Sequence, residues 1–445
     1  MNTIKYYEWE LLSSDEKSSL VSRPALSNMD ALQSSVLEII QQVKSQGDNA
    51  LLSLTKNLDG VSIPDIKVSQ EEIQTAELQL NDDDKKAIQK AAKNISLFHK
   101  AQIPEAIEVE TTPGVYCERV IRPISSVGLY VPAGNAPLPS TALMLGIPAM
   151  LAGCPQTIMC SPPQADGTIN AAVLYAANVC KISNIYKIGG AQAIAAMAYG
   201  TESVPKVTKL FGPGNAWVTE AKEAVSRDPD GATRDMPAGP SEIMVIADDT
   251  ANPIFIAADL LSQAEHGPDS QAVLVSTCED VLSSTLKQIK LQCEKLSRYK
   301  IIKESLKNSW ALLVRDIDTA ITVANMYAPE HLILQTQNPR EVLNNIQAAG
   351  SVFLGRWAPE SIGDYCSGTN HVLPTYGYAR SYSSLSVTNF LRSMTVQTLT
   401  RKGFQKIGPI AERLATLEGL DAHYQAVRLR LESINTSNEG SNDER

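Results

Sequence analysis

The chain has 445 residues, 43% hydrophobic and 20% charged, with 39 Lys and Arg against 49 Asp and Glu. That length exceeds one ordinary hydrophobic core, so two or more domains are expected. The formal net charge of −10 argues against a phosphate-backbone binder with a basic face. It leaves room for a small anionic cofactor, because helix N-termini and glycine loops hold phosphates without net positive charge.

In chain order, the opening MNTIKYYEWELL lacks a basic segment followed by an apolar core, so no secretory signal is expected. Residues 30–100 read as helices: Leu32, Val36, Ile39, Ile40 and Val43 recur at helical spacing until Gly47, and Ile88, Ala92, Ile95 and Phe98 follow the same rule. The longest apolar stretch, Ala142 to Gly153, is interrupted by Pro148 and is too short to span a bilayer. From Ser126 onward short β-branched runs alternate with helical ones. Strands are expected at Val127–Val131, Thr157–Cys160, Ile185–Ile188, Val207–Leu210, Ile243–Ala247, Ala272–Ser276, Ala311–Val314, Leu332–Leu334 and Ser351–Leu354. Helices between them include Ala191–Tyr199, Ala216–Ser226, Ile254–His266 and Thr319–Met326. This alternation indicates parallel sheets with crossover helices, and the number of strands calls for two doubly wound α/β units. Met236-Pro-Ala-Gly-Pro240 is a credible junction. Beyond Tyr382 the strands are expected to stop and a helical tail to begin, with a polar, disordered end from Asn435 to Arg445.

Seven cysteines are scattered, with no Cys-x-x-Cys pair, which fits reduced thiols in a cytoplasmic protein. Glycine loops follow three strands: Gly128-Leu-Tyr-Val-Pro-Ala-Gly134, Gly189-Gly-Ala-Gln-Ala193 and Phe211-Gly-Pro-Gly-Asn215. Such turns let a backbone approach a pyrophosphate at a helix N-terminus, although tight turns need glycine anyway and none is the Gly-x-Gly-x-x-Gly fingerprint. Four of five histidines fall after residue 260. Gln263 and His266 are three apart near a helix C-terminus and share a face. Imidazole nitrogen and amide oxygen both ligate zinc, while a His at a helix end is more often an electrostatic cap. Glu330 and His331 are adjacent before a strand, the equipment for proton transfer near neutral pH if an irregular turn lets them converge. Asp364, with His371 seven residues on, sits in an expected loop rich in Gly, Ser, Thr and Asn. His423 lies in the tail, with Glu418 before it. A zinc site here would be N/O-rich, which fits a catalytic or substrate-holding role. The residues alone give a two-unit α/β protein with a dinucleotide site and a His/Asp/Gln metal site. They leave open an NAD-linked metal dehydrogenase of some amino alcohol and a non-catalytic binding protein on the same sheets.

Seven segments together resemble the histidinol dehydrogenase family: Ser126-Val-Gly-Leu-Tyr-Val-Pro, Gly189-Gly-Ala-Gln-Ala-Ile-Ala-Ala, Phe211-Gly-Pro-Gly-Asn215, Asp235-Met-Pro-Ala-Gly-Pro-Ser-Glu242, Leu261-Ser-Gln-Ala-Glu-His-Gly-Pro-Asp269, Pro329-Glu-His331 and Gly368-Thr-Asn-His-Val-Leu-Pro-Thr375. The resemblance runs from about residue 23 to about residue 430, with one departure, Ala133, where the family often has a further glycine. It implies two successive NAD-dependent oxidations, alcohol to aldehyde to carboxylate, the last steps of histidine biosynthesis. It implies zinc ligands Gln263, His266, Asp364 and His423, and an acid/base pair Glu330 and His331. Substrate contacts carry over to Ser241, Gln263, His266, His331, Asp364, Glu418 and His423, and NAD contacts to Tyr130, Gln192 and Asn215. The implied architecture is two Rossmann-like units, one inserted in the other, with terminal arms tying a homodimer whose active sites are shared. Its boundaries are an arm over 1–24, a first α/β domain over 25–129 and 239–381 carrying the zinc and acid/base residues, an inserted NAD-binding domain over 130–238, and a helical dimerisation tail over 382–434. No nucleic-acid or membrane partner is expected.

Overall fold

A computed structural model describes residues 4–23, 29–133, 136–237 and 239–436. Gly134 of the first glycine loop, and residues 437–445 of the expected disordered end, lie outside them. Two compact units divide the chain, one of residues 1–102 and 124–390, the other of residues 103–123 and 391–445.

The first unit begins with β1 (Lys5–Glu8), α1 (Ser14–Val21), α2 (Met29–Gln46), α3 (Asp48–Leu54), α4 (Gln70–Gln79) and α5 (Asp82–Lys100). Ser13 and Ser69 open α1 and α4 with reciprocal bonds to Glu16 and Glu72, which satisfy N-terminal N–H groups that the helices cannot. The hairpin β2 (Ile107–Thr112) and β3 (Val115–Pro123) belongs to the second unit. The chain then returns with β4 (Ser126–Tyr130), α6 (Pro139–Ala152), β5 (Gln156–Cys160), α7 (Ala171–Val179), β6 (Asn184–Tyr186), α8 (Gly190–Tyr199), β7 (Lys209–Phe211), α9 (Ala216–Arg227) and β8 (Thr233–Arg234). These five strands form a parallel sheet in the order β6-β5-β4-β7-β8.

Next come β9 (Glu242–Ala247), α10 (Pro253–Ala264), β10 (Gln271–Ser276), α11 (Glu279–Cys293), α12 (Tyr299–Ser305), β11 (Trp310–Leu313), α13 (Ile317–Tyr327), β12 (His331–Gln335), α14 (Pro339–Leu343), β13 (Ser351–Leu354) and α15 (Glu360–Tyr365). With β1 they form a six-stranded parallel sheet, β1-β11-β10-β9-β12-β13. Every residue of β9, β10 and β12 is buried, because helices cover both faces; hence their near-continuous apolar runs. All nine strands expected from the sequence form, and the five-stranded sheet is inserted in sequence between β1 and β9.

Four expectations about boundaries need correction. The N-terminal arm places β1 as an edge strand beside β11. Helices α2–α5, assigned to the zinc-bearing domain, pack instead on α6–α9 of the five-stranded sheet, where Val36, Ile40, Val43 and Leu51 join the core of Ile194 and Val225. The stretch 103–123 belongs with the C-terminal segment. The tail is not wholly helical: β14 (Leu391–Leu399) pairs antiparallel with all nine residues of β3, before α16 (Arg401–Glu418) and α17 (Asp421–Thr436). Strand β14 escaped the sequence reading because Leu-Arg-Ser-Met-Thr-Val-Gln-Thr-Leu is mostly exposed and has no apolar run. No helix among the described residues is long and apolar enough to cross a membrane.

Candidate active site

Glu330 and His331 stand where the chain enters β12. Ala328 ends α13 in a left-handed conformation (φ 53°), and this turn brings the two neighbours together instead of sending them to opposite faces. Both find partners on one residue of β9. The Glu242 N–H donates to Glu330 Oε2 at 2.8 Å, and the Glu242 carbonyl lies 3.1 Å from His331 Nδ1. Nδ1 therefore carries the proton, and Nε2 is the working nitrogen. Nε2 is buried without a hydrogen-bond partner among the described residues, 3.5 Å from Asp364 Oδ1.

Asp364 lies on α15, not in a loop. Glu360 and Asp364, four apart, share one face of that single helix-length segment. Gly363 lets α15 sit against β13, since a Cβ there would strike the Phe353 ring. His371 is bonded at both nitrogens, 2.9 Å from the Asp364 carbonyl and 3.1 Å from Thr141 Oγ1, so it anchors Asp364 and has no open nitrogen for a ligand role. Gln263 is buried on α10, but the helix ends at Ala264, so His266 lies just past it rather than on it. The His266 Nδ1 sits 3.0 Å from the Ser262 carbonyl, which presents Nε2 as a lone-pair donor. Ser241 directly precedes β9. Glu418 and His423 lie in the second unit, at the end of α16 and the start of α17.

Donor atoms of His331, Glu360 and Asp364 lie within 4.8 Å of one another. Burial pushes the Glu330 carboxyl up to about 8, against the pull of His331. Burial opposes charge on His331, yet Glu360, Glu330 and Asp364 outweigh it and raise its pKa well above the ordinary value. Glu360 is driven up by burial; Asp364, though buried, is held low by its contact with His331. With its amide turned over so that the nitrogen faces the acid, Gln263 joins the cluster: the nitrogen donates to the Glu360 carboxylate and the oxygen accepts from the Glu242 N–H at 3.1 Å. That N–H already serves Glu330, so the amide oxygen can turn to another partner at little cost. Among these groups Gln263, His266 and Asp364 offer an amide oxygen, an imidazole nitrogen and a carboxylate with no thiolate, a donor set that fits a zinc of the catalytic kind. Glu360 was missed in the sequence although it stands four residues before Asp364; Glu242 was inside a quoted segment but its backbone role has no sequence signal.

In the five-stranded sheet the chain runs β4, β5, β6 one way and then β7, β8 the other, so β4 and β7 flank a topological switch point, where α/β sheets hold ligands outside the strands' carboxyl ends. Tyr130 ends β4, and its hydroxyl accepts from the Gly190 N–H at 3.0 Å at the start of α8. Gln192, buried on α8, donates to Asp59 Oδ2 at 3.4 Å. Asn215 caps α9 by accepting from the Val218 N–H at 3.2 Å, which leaves its amide NH2 exposed at the helix N-terminus. The six-stranded sheet has its own switch point between β9 and β12, but the acid/base cluster occupies the amino ends of those strands.

The family model described as histidinol dehydrogenase matches residues 22–431. A histidinol dehydrogenase of Vibrio parahaemolyticus is 52% identical over 96% of this chain and 98% of its own length. The chain belongs to the histidinol dehydrogenase family. A crystal structure of the histidinol dehydrogenase from Elizabethkingia anophelis superposes with a TM-score of 0.93 at 48% identity, covering 97% of this chain and 99% of that one. Another family member, from Photobacterium profundum, is 52% identical over 97% of this chain and 96% of its own. As a histidinol dehydrogenase family member, the chain is an oxidoreductase on an α/β fold.

Proposed function

We propose that the chain oxidises L-histidinol through L-histidinaldehyde to L-histidine, with two NAD reduced per substrate. The observation that carries this reading is the buried pair Glu330 and His331, with the imidazole's Nε2 unpartnered beside Asp364. The first oxidation releases one hydride and one proton; the second takes up one water, which supplies the second oxygen, and releases one hydride and two protons as the carboxylate forms. Bound NAD would accept the hydrides, while a zinc held by Gln263, His266, Asp364 and His423 of the partner subunit would orient the substrate's imidazole and amine.

The chain's own groups do the proton work. In this reading His331 Nε2 takes the alcohol proton in the first oxidation and serves again as base in the second. Glu330 removes a proton from the water that adds to the aldehyde. The Glu242 carbonyl fixes the His331 tautomer. Ser241 and Glu418 would contact the substrate. Tyr130, Gln192 and Asn215 would hold NAD at the β4/β7 switch point. The second unit supports a homodimer: Ile410, Leu414 and Leu417 on α16, Leu420 between the helices, and Leu429 on α17 are exposed apolar side chains. A cytoplasmic site of action fits these substrates.

The test is the amount of NADH formed per histidinol. Two equivalents are expected. One equivalent would indicate a simple alcohol dehydrogenase, and none a binding protein.

A further inference from the structure

We propose that the buried Arg23–Glu242 ion pair is a positioning device for the acid/base pair, acting through the backbone of Glu242; this rests on the roles assigned above to Glu330 and His331. Glu242 opens β9, and its N–H and carbonyl hold Glu330 and His331 at 2.8 and 3.1 Å. The placement of both side chains thus depends on where one residue stands.

That residue is gripped by its side chain. Arg23 Nε donates to Glu242 Oε1 at 2.8 Å and Nη2 to Oε2 at 2.7 Å, the two-pronged geometry that only a guanidinium provides. The Tyr376 N–H adds a bond to Oε1 at 3.1 Å. Arg23 also braces the other side of the site. Its guanidinium lies 3.6 Å from the centre of the Tyr327 ring, and it donates to the carbonyls of Tyr327 and, at 3.4 Å, Ala328. Those carbonyls belong to the left-handed turn that delivers Glu330. One side chain therefore joins the start of β9 to the entry of β12, the two places from which the catalytic pair is held.

The alternative is a plain structural pin. Two features favour positioning. Both partners are almost wholly buried, with side chains 7% and 2% exposed, and a buried ion pair is a poor source of stability compared with apolar packing. And the contacts end on the side chain of Glu242, the residue whose backbone holds Glu330 and His331, and on the carbonyls of Tyr327 and Ala328 just before Glu330 in the chain.

The test is steady-state kinetics on the full-length dimer with Arg23→Lys and Arg23→Ala, each alone and with His331→Asn. Lysine keeps the charge but loses the second prong. Arg23→Lys is expected to lower kcat about tenfold and Arg23→Ala about 10²-fold, the cost of misplacing reacting groups by about 1 Å, while KM for histidinol and NAD changes little. Guanidinium in the assay should restore part of the Arg23→Ala loss. In the His331→Asn background, Arg23→Lys should cost alcohol oxidation nothing further, because Glu330 serves only the second oxidation and the group that serves the first is gone; a structural pin would multiply the losses. Wild-type kcat in Arg23→Lys, or multiplied losses in the double variant, overturns the proposal, and Arg23→Lys decides it even if Arg23→Ala does not fold. Wild-type activity in His331→Asn would overturn instead the catalytic reading on which it rests.

Discussion

At the scale of single residues, Glu330 and His331 share a backbone anchor but face different tasks. In the proposed mechanism His331 is needed in both oxidations and Glu330 only where water adds. His331→Asn should therefore slow alcohol and aldehyde oxidation alike, by about 10²- to 10⁴-fold, while Glu330→Gln should suppress aldehyde oxidation far more than alcohol oxidation. Equal slowing by Glu330→Gln, measured with each substrate separately, would end that division of labour. Asp259 offers a second test. It lies one helical turn before Gln263, and burial raises its carboxyl from 3.8 to about 7. The unfolded chain gives up this proton near 3.8 and the folded chain only near 7, so the folded state binds the extra proton in between. Its stabilisation is full below the unfolded value and is lost as pH rises toward about 7. Asp259→Asn should thus melt higher than the wild type at about pH 8, with the gap closing toward about pH 4. Thermal melts across that range decide it, and a gap independent of pH would refute it. The motif residues were legible in the sequence because each is a polar type at a strand or helix boundary. Arg23, Glu242 and Glu360 were not: their roles lie in backbone anchoring and burial, which leave no local spacing to read.

At the scale of elements, the nucleotide-side glycines obey the strand-to-helix rule that made them visible. Gly212 (φ 126°) follows β7, and a Cβ there would run into the carbonyl oxygen of Tyr130 at the end of β4. Its N–H donates to Asp235 Oδ2 at 2.8 Å and its carbonyl accepts from Lys222 Nζ at 2.9 Å, so a buried ion pair holds it in place. Gly212→Ala should part β7 from β4 and add strain of about 1–3 kcal/mol. The expected outcome is a lower melting temperature and a KM for NAD raised about tenfold, with KM for histidinol little changed. An unchanged KM for NAD would show that the β4/β7 crevice does not hold it. The parallel strands were readable because burial on both faces forces apolar runs; β2, β3 and β14 were not, because their small antiparallel sheet is largely exposed. The switch-point rule also has a limit here. It points to the carboxyl ends of β9 and β12, whereas the acid/base cluster sits at their amino ends, where the C-terminal end of α10, the loops after α10 and α13, and the start of β12 deliver Gln263, His266, Glu330 and His331.

At the scale of the whole molecule, the proposed zinc ligands Gln263, His266 and Asp364 lie in the first unit and His423 in the second. A chelator should abolish activity and added zinc restore it, with the melting transition still cooperative; full activity in metal-free protein would remove zinc from the reading, and loss of fold would make the metal structural. The arrangement of subunits makes a sharper demand. Helices α16 and α17 carry apolar side chains in solvent, with Leu417 66% and Leu429 61% exposed, and a helical pair with so little core needs a surface to cover them. In the proposed homodimer that surface is the other subunit, and His423 and Glu418 of the partner subunit complete each site. Two inactive variants, His423→Ala and His331→Asn, then damage different halves of a shared site. A mixed dimer has one site with an intact body and an intact tail, and one with both damaged, by the two-fold symmetry of the assembly. Random exchange at equal amounts makes about half of the dimers mixed, so about a quarter of wild-type activity should return. Mass spectrometry of the mixture establishes that exchange has occurred. If it has and no activity returns, each tail serves its own chain, and the shared-site proposal fails.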